Sequence, residues 1–231
     1  MKRKDFIKKG IGFLSAAPVT LACVKNTVNA GENLEANGST NGSSSENCEV
    51  TNSETAGPFP IKNPSNFVYQ DITLDRQGVP LEVQLSIKDA SNGCEALEGA
   101  RVDIWHCDSD GNYSQYGGHS NANFLRGRQI TDSNGMVVFK TIFPGWYPGR
   151  AVHIHVQVFN NSGNSELITQ IAFPAEVCDA VFQNATDFYS NGLADTSNER
   201  DGIFRDGFEN EMASITGSVN EGFVLTHNIE V

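Results

Sequence analysis

Short segments in which apolar and polar residues alternate recur along most of this chain, and they constrain its fold more than any other feature. In the clearest one, residues 81–88, every second residue is Leu, Val or Ile and the residues between are polar. Successive side chains of a β-strand point to opposite faces, so this pattern predicts a strand with one buried face. Similar strands are predicted at residues 100–106, 136–142, 151–159, 167–173 and 222–230.

Turn-forming residues separate the predicted strands. Asn, Asp, Ser and Gly cluster at residues 91–93, 110–111, 132–135 and 160–163, and these residue types favour tight turns. A short helix is predicted only at residues 175–184. Many short strands with little helix predict an all-β protein, an antiparallel β-sandwich.

The first 22 residues have the composition of a signal peptide. Five of the 16 lysines and arginines lie among the first ten residues, and a largely apolar stretch follows at residues 11–22. This order predicts export to the periplasm or the cell surface. Arg3-Lys4 resembles the pair in a twin-arginine export motif. Leu21-Ala22-Cys23 resembles a bacterial lipobox, which predicts a lipid anchor at Cys23; a cleaved signal peptide without lipid is the alternative.

A polar segment, residues 23–47, separates the signal peptide from the rest of the chain. It consists largely of Asn, Gly, Ser, Glu and Thr, a composition that buries little apolar surface and predicts a flexible tether. The folded domain is therefore expected at residues 48–231. The net charge of −12 argues against a nucleic-acid partner, because a polyanion would be repelled. The apolar runs are shorter than the ~20 residues of a spanning helix, which excludes a multi-span membrane protein.

Cysteine usage agrees with export. Apart from Cys23, the chain contains Cys48, Cys94, Cys107 and Cys178, an even set compatible with two disulfides in an oxidising compartment. Three pairings of four cysteines are open. A zinc site made of all four is the alternative, although the chain has no Cys-x-x-Cys pair, the usual spacing of such sites.

The predicted strand at residues 151–159 carries the side chains most suited to chemistry. Its apolar positions are Val and Ile, whereas His153 and His155 share the opposite face. Two adjacent imidazoles can bind a metal ion, although alternation alone brings any two such residues together. Tyr147 precedes His153 by six residues, and Tyr113 lies on a Gly-containing turn. Two phenolates and two imidazoles form a hard, anionic donor set that favours Fe(III) over zinc or copper.

Specific motifs surround these residues. They are Val102-Asp103-Ile104-Trp105-His106-Cys107-Asp108, Phe124-Leu125-Arg126-Gly127, Pro144-Gly145-Trp146-Tyr147, Gly149-Arg150 and Thr169-Gln170. On these motifs the chain resembles the intradiol ring-cleavage dioxygenases, the family of protocatechuate 3,4-dioxygenase and catechol 1,2-dioxygenase, and more closely the exported members. The resemblance covers residues 54–204, roughly two thirds of the chain.

The resemblance implies a β-sandwich of the prealbumin-like Greek-key type and a set of site residues. The family's ligands to non-haem Fe(III) correspond to Tyr113, Tyr147, His153 and His155. Arg150 corresponds to the arginine over the substrate, and Gln170 to the glutamine near the reacting carbons. The implied enzyme uses O2 to cleave a catechol-type ring between its hydroxyl-bearing carbons, which gives a muconate-type diacid. Tyr147 would also accept a substrate proton.

The chain departs from the family pattern at three places. The interval from Tyr147 to His153 is shorter than in the soluble catabolic enzymes, which predicts a smaller loop over the metal. Ala172 stands where the protocatechuate enzymes tend to have Tyr, and Phe59 replaces the more usual Tyr after Gly-Pro. These differences are expected to affect how the aromatic substrate is held.

Other interpretations of the same residues receive less support. A copper/zinc superoxide dismutase-like site needs about six histidines, and the chain has five. A calcium loop beginning at Asp108 would need Gly at its sixth position, where Tyr113 stands. His106, His119 and His227 are expected to be surface, turn or strand residues rather than ligands. The remaining alternative is a non-catalytic β-sandwich that binds a polysaccharide or an aromatic ligand at the cell surface.

Overall fold

The computed structural model describes residues 48–231. The predicted signal peptide, the tether and Cys23 lie outside the described residues. The strands are β1 (Pro80–Asp89), β2 (Glu95–Ala96), β3 (Arg101–Trp105), β4 (Arg126–Ile130), β5 (Met136–Ile142), β6 (His153–Phe159), β7 (Ser165–Ala172), β8 (Ser214–Ser218) and β9 (Gly222–Glu230). The α-helix is α1 (Ala175–Asn184), and short 3₁₀ helices lie at Pro64–Asn66, Ala90–Asn92, Gly117–His119, Asn198–Arg200 and Phe204–Asp206.

The strands form two sheets, as the sandwich prediction requires. The first has the order β2-β1-β9-β8, with β5 paired along β1, and the second has the order β4-β3-β6-β7. All strand pairs are antiparallel except β1 with β9, which is parallel. This parallel pair departs from the antiparallel prediction. β1 and β9 are the first and last strands along the chain, and only strands joined by a tight hairpin must run in opposite directions.

The inner faces of the two sheets form the hydrophobic core. Val83, Leu85 and Ile87 of β1 are fully buried, and they belong to the same core cluster as Ile154 and Val156 of β6. This is the face that the period-two pattern predicts to be apolar. The helix α1 adds Val181 and Phe182 to the same core, and its observed bounds equal the predicted ones.

Three strands were not predicted from the sequence. The strand β4 reads Arg-Gly-Arg-Gln-Ile and lacks apolar alternation. Its two arginines are nevertheless buried, and Arg128 pairs with Asp103 on the neighbouring strand, with Nη2 2.6 Å from Oδ2. Both β2 and β8 are short and largely exposed, so they carry little hydrophobic signal.

Among residues 48–231 the cysteines form one disulfide, which corrects the interpretation of the four cysteines as two disulfides. Cys48 is bonded to Cys94, so a zinc site of all four cysteines is excluded. Cys107 and Cys178 are free and buried in different parts of the domain, and burial raises the pKa of both thiols. Among the described residues, no helix has the length and apolar character needed to cross a membrane.

Candidate metal centre

The outer face of the second sheet carries several buried polar side chains. His153 and His155 on β6 lie on this face, and both are nearly inaccessible to solvent. In the strand register His155 is level with Trp105 on β3 and with Gln170 on β7. Directly paired residues point to the same side of a sheet, so the strand pairing itself brings these side chains together.

The two imidazoles face each other through their Nε2 atoms. These atoms are 3.2 Å apart, and the Tyr113 hydroxyl oxygen lies 3.4 Å from His153 Nε2. His153 Nδ1 lies 2.6 Å from the Ala151 carbonyl oxygen. A carbonyl only accepts hydrogen bonds, so Nδ1 donates the proton and Nε2 keeps its lone pair toward the centre.

Burial also keeps both imidazoles neutral. Desolvation lowers the pKa of His153 to about 3, with the Arg150 charge acting in the same direction. The pKa of His155 is lowered well below its usual range, again mainly by burial and then by His153. Neutral imidazole is the form that binds a metal ion.

The two tyrosines lie on loops that touch each other. The ring centroids of Tyr113 and Tyr147 are 5.8 Å apart. Gly111, on the loop before Tyr113, has φ +86°, and a Cβ there would collide with the Trp146 carbonyl oxygen. Burial raises the pKa of both phenols, most strongly that of Tyr113. Each is therefore neutral unless a nearby cation stabilises the phenolate.

The donor set suits a hard metal ion. Among the described residues, no group of three or more His, Cys, Asp and Glu side chains is arranged to hold a metal. Two phenolate oxygens with two neutral imidazole nitrogens suit Fe(III), whose charge would reverse the effect of burial on the phenols.

His155 is held by packing rather than by a hydrogen bond from its second nitrogen. Metal-binding histidines usually donate that N–H to a carboxylate or a carbonyl, but His155 Nδ1 has no partner within the described part of the chain. Trp105 stacks on the ring with a centroid distance of 4.8 Å and an interplanar angle of 3°. Gly57, at φ +66°, lies close to the same ring, where an added Cβ would be 3.1 Å from His155 Cε1.

Arg150 connects the tyrosines to the polar groups around the centre. Its Nη1 lies 3.4 Å from the Tyr147 hydroxyl oxygen, and its Nη2 donates to Gln170 Oε1 at 2.5 Å. The Gln170 amide in turn donates to the Thr55 carbonyl at 2.8 Å. Arg150 Nε donates to both carboxylate oxygens of Asp201, at 2.9 and 3.0 Å. The arginine therefore has a salt bridge and also reaches the centre.

The sequence comparisons identify the family. A family model described as Dioxygenase matches residues 62–189, more than half of the chain. The chain is 32% identical over 149 residues to catechol 1,2-dioxygenase of Candida albicans, which covers 55% of this chain and 48% of that one. It is 30% identical over 125 residues to the protocatechuate 3,4-dioxygenase beta chain of Burkholderia cepacia, with coverages of 47% and 53%. The chain belongs to the intradiol ring-cleavage dioxygenase family.

Solved structures show the same fold. An intradiol ring-cleavage dioxygenase from Tetranychus urticae superposes with a TM-score of 0.71 at 30% identity, covering 79% of this chain and 94% of that one. The dioxygenase domain of a dioxygenase carbohydrate-binding protein fusion from Streptomyces sp. SirexAA-E gives a TM-score of 0.60 at 25% identity, with coverages of 79% and 98%. The chain spans about half the length of the curated relatives it matches.

The residues at which this member departs from the family pattern lie around the centre. Ala172 is level with His153 in the register of β6 and β7, and it packs in one cluster with Ala151 and Phe204. Phe204 therefore lies beside the small side chain of Ala172. Phe59 stacks on Tyr113 with a centroid distance of 4.6 Å.

The other polar residues considered from the sequence have partners away from the centre. Asp108 accepts hydrogen bonds from the backbone of Asp110 and Asn112 and pairs with Arg76. His106 is buried rather than exposed, and it contacts the Cys107 carbonyl and the Thr141 hydroxyl.

Two residues of the site were missed in the sequence analysis. Asp201 and Thr55 lie near the two ends of residues 54–204, over which the chain resembles the family, but they are far from Arg150 and Gln170 along the chain, and the segment 62–189 that the family model matches contains neither. Sequence spacing carries no signal for contacts of this kind. The acidic residue count offered many candidate partners for Arg150, and only the folded chain selects one.

Proposed function

We propose that this protein is a non-haem Fe(III)-dependent intradiol dioxygenase. Its substrate would be a catechol-type ring, cleaved with O2 between the two hydroxyl-bearing carbons to give a muconate-type diacid. The observation that carries the proposal is that the two imidazole Nε2 atoms face each other in a buried site, where His153 Nε2 also lies against the Tyr113 hydroxyl and Tyr147 lies beside Arg150. Membership of the family supports the same reaction class.

In this proposal the iron is held by four side chains, Tyr113, Tyr147, His153 and His155. Bound Fe(III) supplies a Lewis acid that withdraws electron density from a catecholate and so activates the ring. The protein keeps the imidazoles neutral through burial and fixes the His153 tautomer through Ala151. Burial of the two imidazoles and of Tyr113 also lowers the local polarity, which strengthens electrostatic interactions there.

The two tyrosines differ in a way that assigns their roles. Tyr113 is buried, whereas Tyr147 is half-buried and touches Arg150. We therefore assign to the Tyr147 phenolate the task of accepting a proton from an incoming catechol. The adjacent guanidinium of Arg150 can stabilise negative charge as it develops on the substrate, and preorganised charge of this kind is usually the largest electrostatic contribution to catalysis. Gln170 shares a hydrogen bond with Arg150 and would orient oxygen or a product carbonyl.

The test is oxygen uptake by purified, ferric-iron-loaded protein with catechol, protocatechuate and hydroxyquinol, together with detection of the diacid product. We expect uptake with at least one of them and a red-brown colour from tyrosinate-to-iron charge transfer. Tyr113→Phe should lose the colour and the activity. Tyr116→Phe is the matched control, because that phenol packs near Phe59 but donates to the Pro60 carbonyl. A colourless, iron-replete protein would contradict the proposal, and absence of uptake with every catechol would favour a non-catalytic binding module.

We also propose that the protein is exported and anchored through lipid at Cys23. The Cys48–Cys94 disulfide supports an oxidising compartment. Expression of the full chain in a bacterial host, followed by mass spectrometry of the mature N-terminus, should find a diacylated cysteine. Cys23→Ser should move the protein from the membrane fraction to the soluble fraction. An unmodified Cys23 would contradict the lipid anchor, and the signal peptide would then be either cleaved without lipidation or retained.

A further inference from the structure

The carboxylate of Asp201 accepts several hydrogen bonds close to the centre. Its side chain is fully buried, and it accepts hydrogen bonds from Arg150 Nε, from the Ala151 N–H at 2.7 Å and from the Ile203 N–H at 2.9 Å. It lies directly after the 3₁₀ helix Asn198–Arg200, outside the segment that the family model matches.

These contacts fix one end of the Arg150 guanidinium. Asp201 takes the Nε edge, and Gln170 takes Nη2. Nη1 is thereby directed toward the Tyr147 hydroxyl. An arginine side chain has several rotatable bonds, and a planar guanidinium held at two edges has lost that freedom before any substrate arrives.

Asp201 also links the arginine to the strand that carries the histidines. The same carboxylate oxygen that receives Arg150 Nε receives the Ala151 N–H, and the Ala151 carbonyl accepts the proton of His153 Nδ1. One carboxylate therefore sets the position of the arginine relative to the beginning of β6. A carboxylate needed only to neutralise Arg150 would not need this second contact.

We propose that Asp201 is a positioning residue that aligns Arg150 with the reacting ring, so that its loss lowers kcat without removing the metal or the bound substrate. The proposal rests on the proposed function, since it assumes that Arg150 acts on a catechol. It adds to that function a residue from the C-terminal part of the domain.

The first test compares Asp201→Asn with Asp195→Asn in the iron-loaded protein. Asp195 is an exposed carboxylate of the same segment that accepts the Gly149 N–H, so it touches the same loop but not the guanidinium. We expect Asp201→Asn to lower kcat by about 10- to 100-fold. KM, iron content and the visible band should stay within about twofold of the wild type, and Asp195→Asn should change neither kcat nor KM by more than that. A wild-type kcat for Asp201→Asn would overturn the proposal.

A double-mutant cycle separates positioning from a purely structural role. In an Arg150→Gln background, Asp201→Asn should produce no further loss of kcat, because the residue acts through the arginine. Additive losses would overturn the proposal. If Asp201→Asn does not fold, Asp201→Glu, which keeps the charge but displaces it by one methylene, should show the same loss of kcat. Failure of both variants to fold would show that Asp201 serves the fold, and would also overturn it.

A crystal structure of Asp201→Asn provides a reading that does not depend on activity. The guanidinium should leave Gln170 and Tyr147 while His153 and His155 stay in place, and an unmoved guanidinium would contradict the proposal. The two failures can be told apart. If the wild type is inactive but Arg150 is displaced in Asp201→Asn, the proposed catechol reaction is contradicted and the positioning role is not. If the wild type is active but Arg150 has not moved in Asp201→Asn, only the positioning role is contradicted.

Discussion

Both faces of the second sheet contain buried side chains, but the two faces bury different kinds of group. On the inner face, Ile154 and Val156 pack against apolar side chains of the other sheet. On the outer face, Asp103 is paired with Arg128, and the two histidines of β6 lie under loops. Burial alone therefore does not distinguish the hydrophobic core from the candidate site. What differs is whether each buried group needs a specific partner.

The largest expected effect comes from the outer face. His153→Gln removes one imidazole from the proposed metal site, so iron should be lost and activity should fall by at least about 1,000-fold. The fold should survive, because the inner face of β6 is untouched. Iron content, the visible spectrum and far-UV circular dichroism check this. Gln157→Ala, on the same face but bonded to Ser165, is the control that should keep its iron.

The inner face should respond in the opposite way. Ile154→Ala leaves a cavity in the core and should lower the free energy of unfolding by about 2–5 kcal/mol. The metal-free and iron-loaded proteins should lose similar amounts in urea denaturation, and the visible band should not move. A variant that loses iron before it loses stability would show that the two faces are not independent.

A polar exception on the inner face offers a pH-dependent test. Thr169 is level with Val156, and its hydroxyl donates to the fully buried Glu211 at 2.9 Å. Burial raises the pKa of Glu211 to about 7, and Glu54 and Asp206 act in the same direction. The folded state therefore holds a proton that the unfolded chain releases near pH 4.5. The contribution of Glu211 to stability should fall as pH rises from about 4.5 to 7 and then level off, whereas the buried histidines, whose pKa values are lowered, contribute in the opposite direction below about pH 6.5.

Glu211→Gln should remove this contribution and leave those of the buried histidines and of Glu54, whose pKa burial raises to about 7, in both proteins. Since one pKa unit corresponds to about 1.4 kcal/mol, the stability of the wild type relative to the variant should fall by about 2 kcal/mol between pH 5 and pH 8. Urea denaturation at both pH values measures the difference. The exposed Glu209 provides the control, because Glu209→Gln should leave the slope unchanged. Parallel slopes for the wild type and Glu211→Gln would refute the assignment.

The smallest expected effect concerns the loop that covers the outer face. Gly57→Ala forces a Cβ into a left-handed conformation and toward the His155 ring, which should cost about 1 kcal/mol. The visible band should shift slightly as the ring moves. Gly93→Ala has a similar φ of +67° with nothing near its Cβ, so it should lower stability by a similar amount while the band stays in place. Equal spectra for the two variants would mean that the loop does not hold the histidine.

The difference between the faces also explains what the sequence could predict. The inner face follows from local alternation, so six strands and the helix were placed within about two residues of their observed bounds. The family motifs selected the six site residues that the structure brings together. The hydrogen-bond partners on the outer face could not be predicted from the sequence, because residues such as Asp201 and Arg150 are 51 positions apart along the chain. The strand β4 was missed because it lacks apolar alternation, and the side chains that it buries on the outer face are those of Arg126 and Arg128.

The disulfide has a mechanical consequence for the site. The segment after Cys48 is hydrogen-bonded to both sheets, through Thr51 to Glu230 of β9 and through Glu54 to Ile168 of β7, before it brings Thr55 to Gln170. Any pull on the chain ahead of Cys48 would peel this segment away one hydrogen bond at a time. The bond to Cys94 diverts that force into the loop after β1. The chain that completes the Gln170 and Arg150 network is thus shielded from tension that arrives from its own N-terminal side.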